Sequence, residues 1–305
     1  MRGFSCYRVK KAQRSNSEVV GLLGGERFLF AWRVLICVGL SATRSRLAGR
    51  NGRPATTPVQ EDFSWLQDLP RRGPVLREQF LVDSCRGKRV ADVGFLDYPL
   101  LEMRITGKTW LHAALAEVAA SIVGIDSDPR GVEWARRAGL EAYVADASST
   151  TEIEDLNLEP ADVVVAGEVI EHVDAPGPFL RAMLRLCRPH GQLIVTTPNA
   201  YRALNLIVPL TGKEFIHPEH LAWHSPHTLT RLLDSNGWEI EALIYYQNRR
   251  DDVRLDGGFT RAVRVLLANA ARRLATSGRR PYWCDGLIAV ARPSALREAP
   301  SLERR

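Results

Sequence analysis

Four short apolar runs, each ending at or beside an acidic residue, constrain the fold of this chain more than any other feature. They are Arg89–Gly94, Ser121–Asp126, Ala142–Asp146 and Val163–Glu168, at intervals that leave room for helices between them. Continuous apolar runs of this length are typical of strands buried on both faces, which implies a parallel sheet covered by helices. Ligands of such sheets bind beyond the carboxyl ends of the strands. Acids there suit a ligand with hydroxyls, amines and positive charge, and so predict a nucleoside-type cofactor.

The apolar pattern predicts one α/β domain over residues 59–292. Later strands are predicted at Gln192–Thr196, Trp238–Ile244 and Leu287–Ala291, the last two as antiparallel neighbours. A long loop is predicted over residues 95–108. The predicted helices lie within Leu76–Cys85, after an N-cap at Thr109, from Asp128 to Gly139, along Phe179–Cys187 before a stop at residues 189–191, and from Ser225 to Gly237.

Basic charge is concentrated at the start of the chain. The 305 residues carry a formal charge of +6, and eleven Lys or Arg against two Glu precede residue 60. We interpret residues 1–58 as a basic, poorly ordered extension that a linker, Gly52–Pro58, separates from the domain. An Arg-rich helix over Thr260–Ala275 would form part of an insertion at about residues 250–283, and residues 293–305 would be a flexible tail.

The cysteines and the first apolar stretch bear on the compartment. Five cysteines are scattered with no C-x-x-C pair, which indicates reduced thiols and a cytoplasmic protein. The stretch Phe28–Leu40 is interrupted by Arg33 and is shorter than the roughly 20 residues that a membrane span needs. It also lies far from the start for a signal peptide. We therefore predict no stable membrane insertion.

Five motifs together resemble the class I S-adenosylmethionine-dependent methyltransferases, in particular the bacterial group that modifies small molecules and glycan precursors. They are Asp92–Gly94, Gly124–Asp126, Ala145–Ala147, Gly167–Val173 and Thr197–Asn199. The resemblance covers roughly residues 79–246. It implies a Rossmann-like, seven-stranded, mostly parallel sheet with an antiparallel last strand and helices on both faces, and S-adenosyl-L-methionine as the cofactor.

One departure concerns the first loop, where the family has glycines in the pattern G-x-G-x-G. Gly94 is followed by Phe95 and Leu96, and the next glycine is Gly107. Because non-glycine residues resist a positive φ, we expect this loop to take a different path.

The resemblance assigns the cofactor-binding residues. Asp126, with Ser127 beside it, would accept the ribose hydroxyls, and Asp146, with the Ala147 N–H, would contact the adenine amine. Each acid also has a structural alternative: Asp126 as a helix N-terminal acid and Asp146 as a loop acid.

The same likeness assigns the methionine end of the cofactor. Asp92 and Gly94 would shape the first loop, and Glu168 would lie beside the methionine portion of the cofactor. A buried structural acid is the alternative for Asp92.

Glu171 and His172 follow the fourth strand and are the candidate catalytic residues. An imidazole with an ordinary pKa near 6.5 suits the removal of a proton from a hydroxyl or amine, although His172 could instead cap a helix or close the pocket. His217 and His220, in a segment that also holds His224 and His227, are the candidate substrate-binding residues. Pro218 and Pro226 break helical register in that segment, and we predict no metal.

The sequence therefore predicts transfer of a methyl group to an O, N or C nucleophile of a small molecule or glycan precursor. Turn and nucleophile patterns of nucleic-acid base methylation are absent from it, so a nucleic acid partner is not expected. The alternatives are a methyltransferase fold that only binds or scaffolds, an RNA methyltransferase using the basic arm, and a nicotinamide dehydrogenase, which would need G-x-G-x-x-G. The oligomeric state is left open.

Overall fold

An eight-stranded sheet forms the centre of the protein. The computed structural model describes residues 66–97, 100–248, 270 and 281–294. In chain order the strands are β1 (Val75–Leu76), β2 (Arg89–Val93), β3 (Ser121–Asp126), β4 (Ala142–Val144), β5 (Ala161–Gly167), β6 (Cys187–Pro198), β7 (Trp238–Gln247) and β8 (Gly286–Pro293). Their spatial order is β1-β7-β8-β6-β5-β2-β3-β4.

Only β8 runs antiparallel to its neighbours in this sheet, since β7 and β6 both pair with it in the antiparallel sense and all other pairs are parallel. The predicted α/β fold with an antiparallel last strand is confirmed. The two-residue strand β1, which pairs with β7 at the edge, was not predicted.

Eight helices are assigned within the described residues, mostly between consecutive strands. They are α1 (Arg77–Cys85), α2 (Leu101–Thr106), α3 (Leu111–Ala116), α4 (Pro129–Arg137), α5 (Thr150–Asp155), α6 (Pro176–Leu186), α7 (Ala203–Ile207) and α8 (Pro226–Ser235). Short 3-10 turns occur at Ile170–His172, Val208–Thr211 and Pro281–Trp283. None of the helices in these ranges has the length and apolar character that a membrane crossing requires.

The central strand β5 is buried on both faces, as its uninterrupted apolar sequence predicts. Val163 and Val165 pack in one cluster with Leu81 of α1, whereas Val164 packs in another with Phe179 of α6. Alternate residues of a strand point to opposite faces, so one apolar run serves two helical layers.

Two helix starts follow the predicted capping chemistry. The Asp128 carboxylate accepts hydrogen bonds from the N–H groups of Arg130 and Gly131 at the start of α4. At α8 the Ser225 hydroxyl accepts from the Thr228 N–H, and Thr228 accepts from the Ser225 N–H, which completes a capping box.

Several predicted boundaries are wrong. The segment 95–108 contains α2, and the N-cap of α3 is Trp110 rather than Thr109, with no side-chain cap. Cys187 does not belong to α6: it already pairs with Ala161 of β5, so residues 189–191 lie inside β6. Strand β4 ends at Val144, two residues before Asp146. The predicted extension at residues 1–58, all of the Arg-rich helix except residue 270, and most of the tail lie outside the described residues.

Candidate functional site

The predicted cofactor residues meet at one edge of the sheet. Asp126 is the last residue of β3, Gly94 follows β2, and Glu168 follows β5. Asp146 comes two residues after β4. Because these strands are parallel, their carboxyl ends lie side by side, which is where α/β sheets bind ligands.

Asp126 combines partial burial with spare hydrogen-bonding capacity. Its Oδ2 accepts from the Leu96 N–H at 3.2 Å and its Oδ1 from the Asp128 N–H at 3.0 Å. Burial raises the pKa of Asp126 above its ordinary value, while the N–H groups of Asp128, Leu96 and Ser127 act in the opposite direction. A carboxylate has about four lone-pair sites, so two bonds leave room for ribose hydroxyls.

Asp146 lies exposed at the end of the neighbouring strand, beside the half-buried Ala147. Its Oδ1 accepts from the Ser148 N–H at 2.8 Å, and its own N–H donates to Glu152 at 2.8 Å. This turn explains the local conformation and leaves the second carboxylate oxygen without a bond to the described residues.

The first loop, which lacks the glycines of the family motif, is held in place by the packing of its own side chains. Gly94 has φ +72°, and a Cβ there would lie 2.5 Å from Cγ2 of Val169. Phe95 and Leu96 are buried, against the faces of Gly124 in β3 and Gly131 in α4 respectively. The loop thus takes a different path, as predicted, and its two large side chains occupy the space that Gly124 and Gly131 leave open.

Asp92 is engaged inside the protein. Its Oδ2 lies 2.9 Å from Nδ1 of His112 in α3, and both side chains are almost completely buried. The His112 ring also packs 4.7 Å from the Phe95 ring and 5.3 Å from the Trp110 ring, centroid to centroid. The pair links the end of β2 to α3 beneath the first loop. Sequence reasoning missed His112, whose only signal was its position early in the helix after that loop.

Glu168 anchors a second polar network, which sequence reasoning also missed. Its Oε1 accepts from the Tyr246 hydroxyl at 2.6 Å and from the Thr196 hydroxyl at 3.0 Å. The Arg77 Nε donates to Thr196 at 2.9 Å and lies 3.9 Å from Glu168. Glu168 has φ +61°, a left-handed conformation uncommon outside glycine, which occurs preferentially at functional sites.

Glu171 is fully buried, and neither of its carboxyl oxygens has a hydrogen-bond partner among the described residues. Burial, together with the negative charge of Glu168, raises the pKa of Glu171 to about 9. The Thr197 hydroxyl favours the charged form but makes no hydrogen bond of normal geometry with the carboxyl. At pH 7 the neutral acid therefore predominates, and it does not reach the surface.

His172, His217 and His220 form a cluster beside the end of β5. One nitrogen of each ring lies within 4.8 Å of the others. The carbonyl of Glu219 can only accept, so the 3.2 Å contact with Nδ1 of His172 places the proton on Nδ1 and leaves the Nε2 lone pair free. Burial lowers the pKa of His172 and brings that of His220 to about 4.

The other two histidines of this segment are separate from the cluster. His224 is buried, and the Nε2 of His227 contacts the Asp68 carbonyl at 3.1 Å.

A surface hollow of about 550 Å³, lined in part by Lys88, Asp162 and His190, opens at the amino ends of the strands and so belongs to the opposite edge.

The donor set at the carboxyl edge fits S-adenosylmethionine. Carboxylates at Asp126 and Asp146 match ribose hydroxyls and an adenine amine, and Glu168 adds negative charge where a cationic ligand would be stabilised. The half-buried Asp126 retains lone pairs for this purpose.

Comparisons with known proteins find a matching family model and similar proteins named as methyltransferases. A family model described as "Methyltransferase domain" matches residues 106–243. A "Ubiquinone biosynthesis O-methyltransferase" of Xylella fastidiosa (strain M23) is 30% identical over 175 residues, covering 52% of this chain and 67% of the relative. The protein of that name from Bordetella avium (strain 197N) is 30% identical over 141 residues, covering 45% and 54%. The chain thus spans from about half to two thirds of these relatives' lengths.

Among solved structures, a SAM-dependent methyltransferase from Archaeoglobus fulgidus is 16% identical, with a TM-score of 0.45, covering 71% of this chain and 91% of that chain. The curated relatives and the family match, together with the strand order, confirm the predicted family, fold class, enzyme class and cofactor. The chain belongs to the class I S-adenosylmethionine-dependent methyltransferases, and S-adenosylmethionine is its methyl donor.

Proposed function

We propose that this protein methylates a hydroxyl oxygen of a small molecule, a class in which we include glycan precursors. The observation that carries the proposal is that the row of carboxylates and the cluster of three histidines lie at the same edge of the sheet. Relatives named ubiquinone biosynthesis O-methyltransferases support oxygen over nitrogen or carbon as the acceptor atom. We include a cytoplasmic location, supported by the buried thiols of Cys85, Cys187 and Cys284.

The proposed cofactor residues surround the carboxyl ends of β2 to β5. Asp126 would accept the ribose hydroxyls, with the Ser127 backbone beside it, and Asp146 with Ala147 would face the adenine. Gly94 allows the loop to pass close to Val169, while Asp92 would hold that loop through His112. Glu168 would lie beside the methionine portion. When bound, S-adenosylmethionine supplies a methyl group on positively charged sulfur.

The acceptor side is assigned to the histidine cluster. His172 is the proposed general base, because its Nε2 lone pair is free and its Nδ1–H is held by the Glu219 carbonyl. His217 and His220 would contact the acceptor. Glu171 is buried, so we assign it a positioning role through its carbonyl, which accepts from the Leu221 N–H at 2.8 Å.

Calorimetric titration with S-adenosylhomocysteine tests the cofactor part of the proposal. We expect micromolar binding by the wild type and at least about tenfold weaker binding by Asp126→Ala, because each hydrogen bond to a charged group contributes about 1.5–3 kcal/mol. The matched control is Asp234→Ala, an exposed carboxylate near the end of α8, which should bind like the wild type.

Transfer of labelled methyl to a panel of phenols, catechols and sugar derivatives tests the acceptor part. We expect the label to be incorporated into a hydroxyl. Loss of this incorporation in His172→Ala, with S-adenosylhomocysteine still bound, would support the assignment of His172 as the base. If the folded wild type does not bind S-adenosylhomocysteine, the proposal is contradicted and a methyltransferase fold that only binds or scaffolds is favoured. Methylation of RNA instead would favour the role proposed for the basic arm.

A further inference from the structure

Three imidazoles from two separate segments converge beside the end of β5. His172 closes the 3-10 turn after that strand, while His217 and His220 lie in the segment between α7 and α8. One nitrogen from each ring lies within 4.8 Å of the other two. We propose that these three histidines bind one divalent transition-metal ion of the zinc type.

Each of the three rings has a nitrogen that could bind an ion. His172 donates its Nδ1–H to the Glu219 carbonyl, an arrangement that metal-ligating histidines commonly use to orient the free Nε2. Nδ1 of His220 is buried with no hydrogen-bond partner among the described residues. Nδ1 of His217 accepts a long 3.3 Å bond from the Glu219 N–H, which an ion could replace.

The spacing requires only a small closure. Tetrahedral zinc binds imidazole nitrogen at about 2.0–2.1 Å, so its ligand atoms lie about 3.3 Å apart. The ring nitrogens now lie within 4.8 Å of one another, and rotation of the side chains could bring them to the shorter distance without a change in the backbone. The Glu171 carbonyl accepts from the N–H groups of Leu221 and Ala222, at 2.8 and 3.3 Å, which ties both segments together.

The donor set determines the class of ion. Neutral imidazole favours zinc, cobalt, nickel, copper and iron, whereas magnesium and calcium prefer oxygen ligands. Three protein ligands also leave a position open for water or a further oxygen, as in catalytic rather than structural zinc sites. The sequence-based expectation of no metal did not include His172 with the later histidines, since 44 residues separate it from the nearest of them.

The chemical consequence of the ion rests on the proposed function, although its binding does not. An ion at this position would bind the acceptor oxygen and lower the pKa of its hydroxyl. The ion would thereby promote the loss of the hydroxyl proton, the task assigned above to the free Nε2 of His172. His172 would then be a ligand in the metal-bound protein and a base only in the metal-free one.

Metal titration of the full chain, stripped with chelator, tests the site directly. We expect one Zn²⁺ per chain by calorimetry, and a visible absorption band with Co²⁺ in place of zinc. His217→Ala is the decisive variant because His217 is exposed and its loss should leave the fold intact. We expect it, and likewise His172→Ala and His220→Ala, to weaken binding about tenfold or more. His190→Ala, an exposed histidine at the opposite edge, should bind like the wild type.

The outcomes separate this proposal from the proposed function. Absence of a stoichiometric ion, or binding that survives all three cluster substitutions, would overturn the metal site. Sulfur-to-cobalt charge-transfer absorption would also overturn it, because thiolates would then be the ligands. Titration of S-adenosylhomocysteine into the same stripped protein reports on the cofactor site alone, so a failure there leaves the metal result intact.

Discussion

Single residues at this edge of the sheet gain their significance from partners distant in sequence. Glu168 meets Tyr246 of β7 and Thr196 of β6, and Asp92 meets His112 of α3. Neither acid is free in the way its sequence motif implies, since each has a positioned donor. The carboxylates therefore have defined orientations before any ligand arrives, which is what pre-organised binding requires.

Two adjacent tyrosines of β7 provide a matched test of this network. Tyr246→Phe removes the 2.6 Å bond to Glu168, and we expect it to lower the free energy of unfolding by about 1.5–3 kcal/mol. Tyr245→Phe removes a buried hydroxyl that has no partner among the described residues, so stability should be unchanged or slightly higher. Urea unfolding of both variants measures the difference. Equal losses in the two would contradict the assigned hydrogen bond.

At the scale of elements, the first loop shows how packing replaces a sequence motif. Leu96 stands where the family has glycine, yet the positive φ occurs at Gly94 and, next in the loop, at Asp97 with φ 51°. The large side chains of Phe95 and Leu96 fit because Gly124 and Gly131 have none. The sequence revealed the departure from the motif, but the compensating glycines lie in β3 and α4 and could be recognised only in three dimensions.

The tight contact between this loop and the turn after β5 can be tested with glycine substitutions. Gly87→Ala has a positive φ but open space, and should cost about 1–2 kcal/mol of unfolding free energy. Gly94→Ala adds a clash with Val169 and should cost about 1–3 kcal/mol more. Val169 also packs against the core, so its truncation has a cost of its own, and the matched reference is Val169→Ala alone. Relative to that variant, the double variant with Gly94→Ala should recover the excess in thermal or urea unfolding. No recovery would show that the clash is not the cause.

For the whole molecule, polar and charged side chains gather at the carboxyl edge of the sheet, whereas the interior is mostly apolar. Alternate residues of β5 face two helical layers, and Cys85, Cys187 and Cys284 are buried as free thiols in the core. The candidate site residues instead follow the strand ends, outside the apolar clusters of the core. Variants at the edge should therefore change binding more than folding, the linked pairs above excepted.

The core thiols give a test at this scale. Burial raises the pKa of Cys85, Cys187 and Cys284 to about 12 each, so almost no thiolate exists at pH 7.5. We expect iodoacetamide to leave all three unmodified in the native protein and to label them in urea, as peptide mass mapping would show. Rapid native labelling at any of them would mean that the core opens there.

The sequence by itself determined the layers, the parallel order of most strands and the acids at their ends. These follow from local rules, because apolar runs, caps and turn residues act within a few positions of the chain. The tertiary structure alone decided the partners: His112 for Asp92, Tyr246 for Glu168, and His172 beside His217 and His220. Such pairs depend on which strands become neighbours, and the order of the strands is determined by the packing of the whole sheet rather than by any one segment.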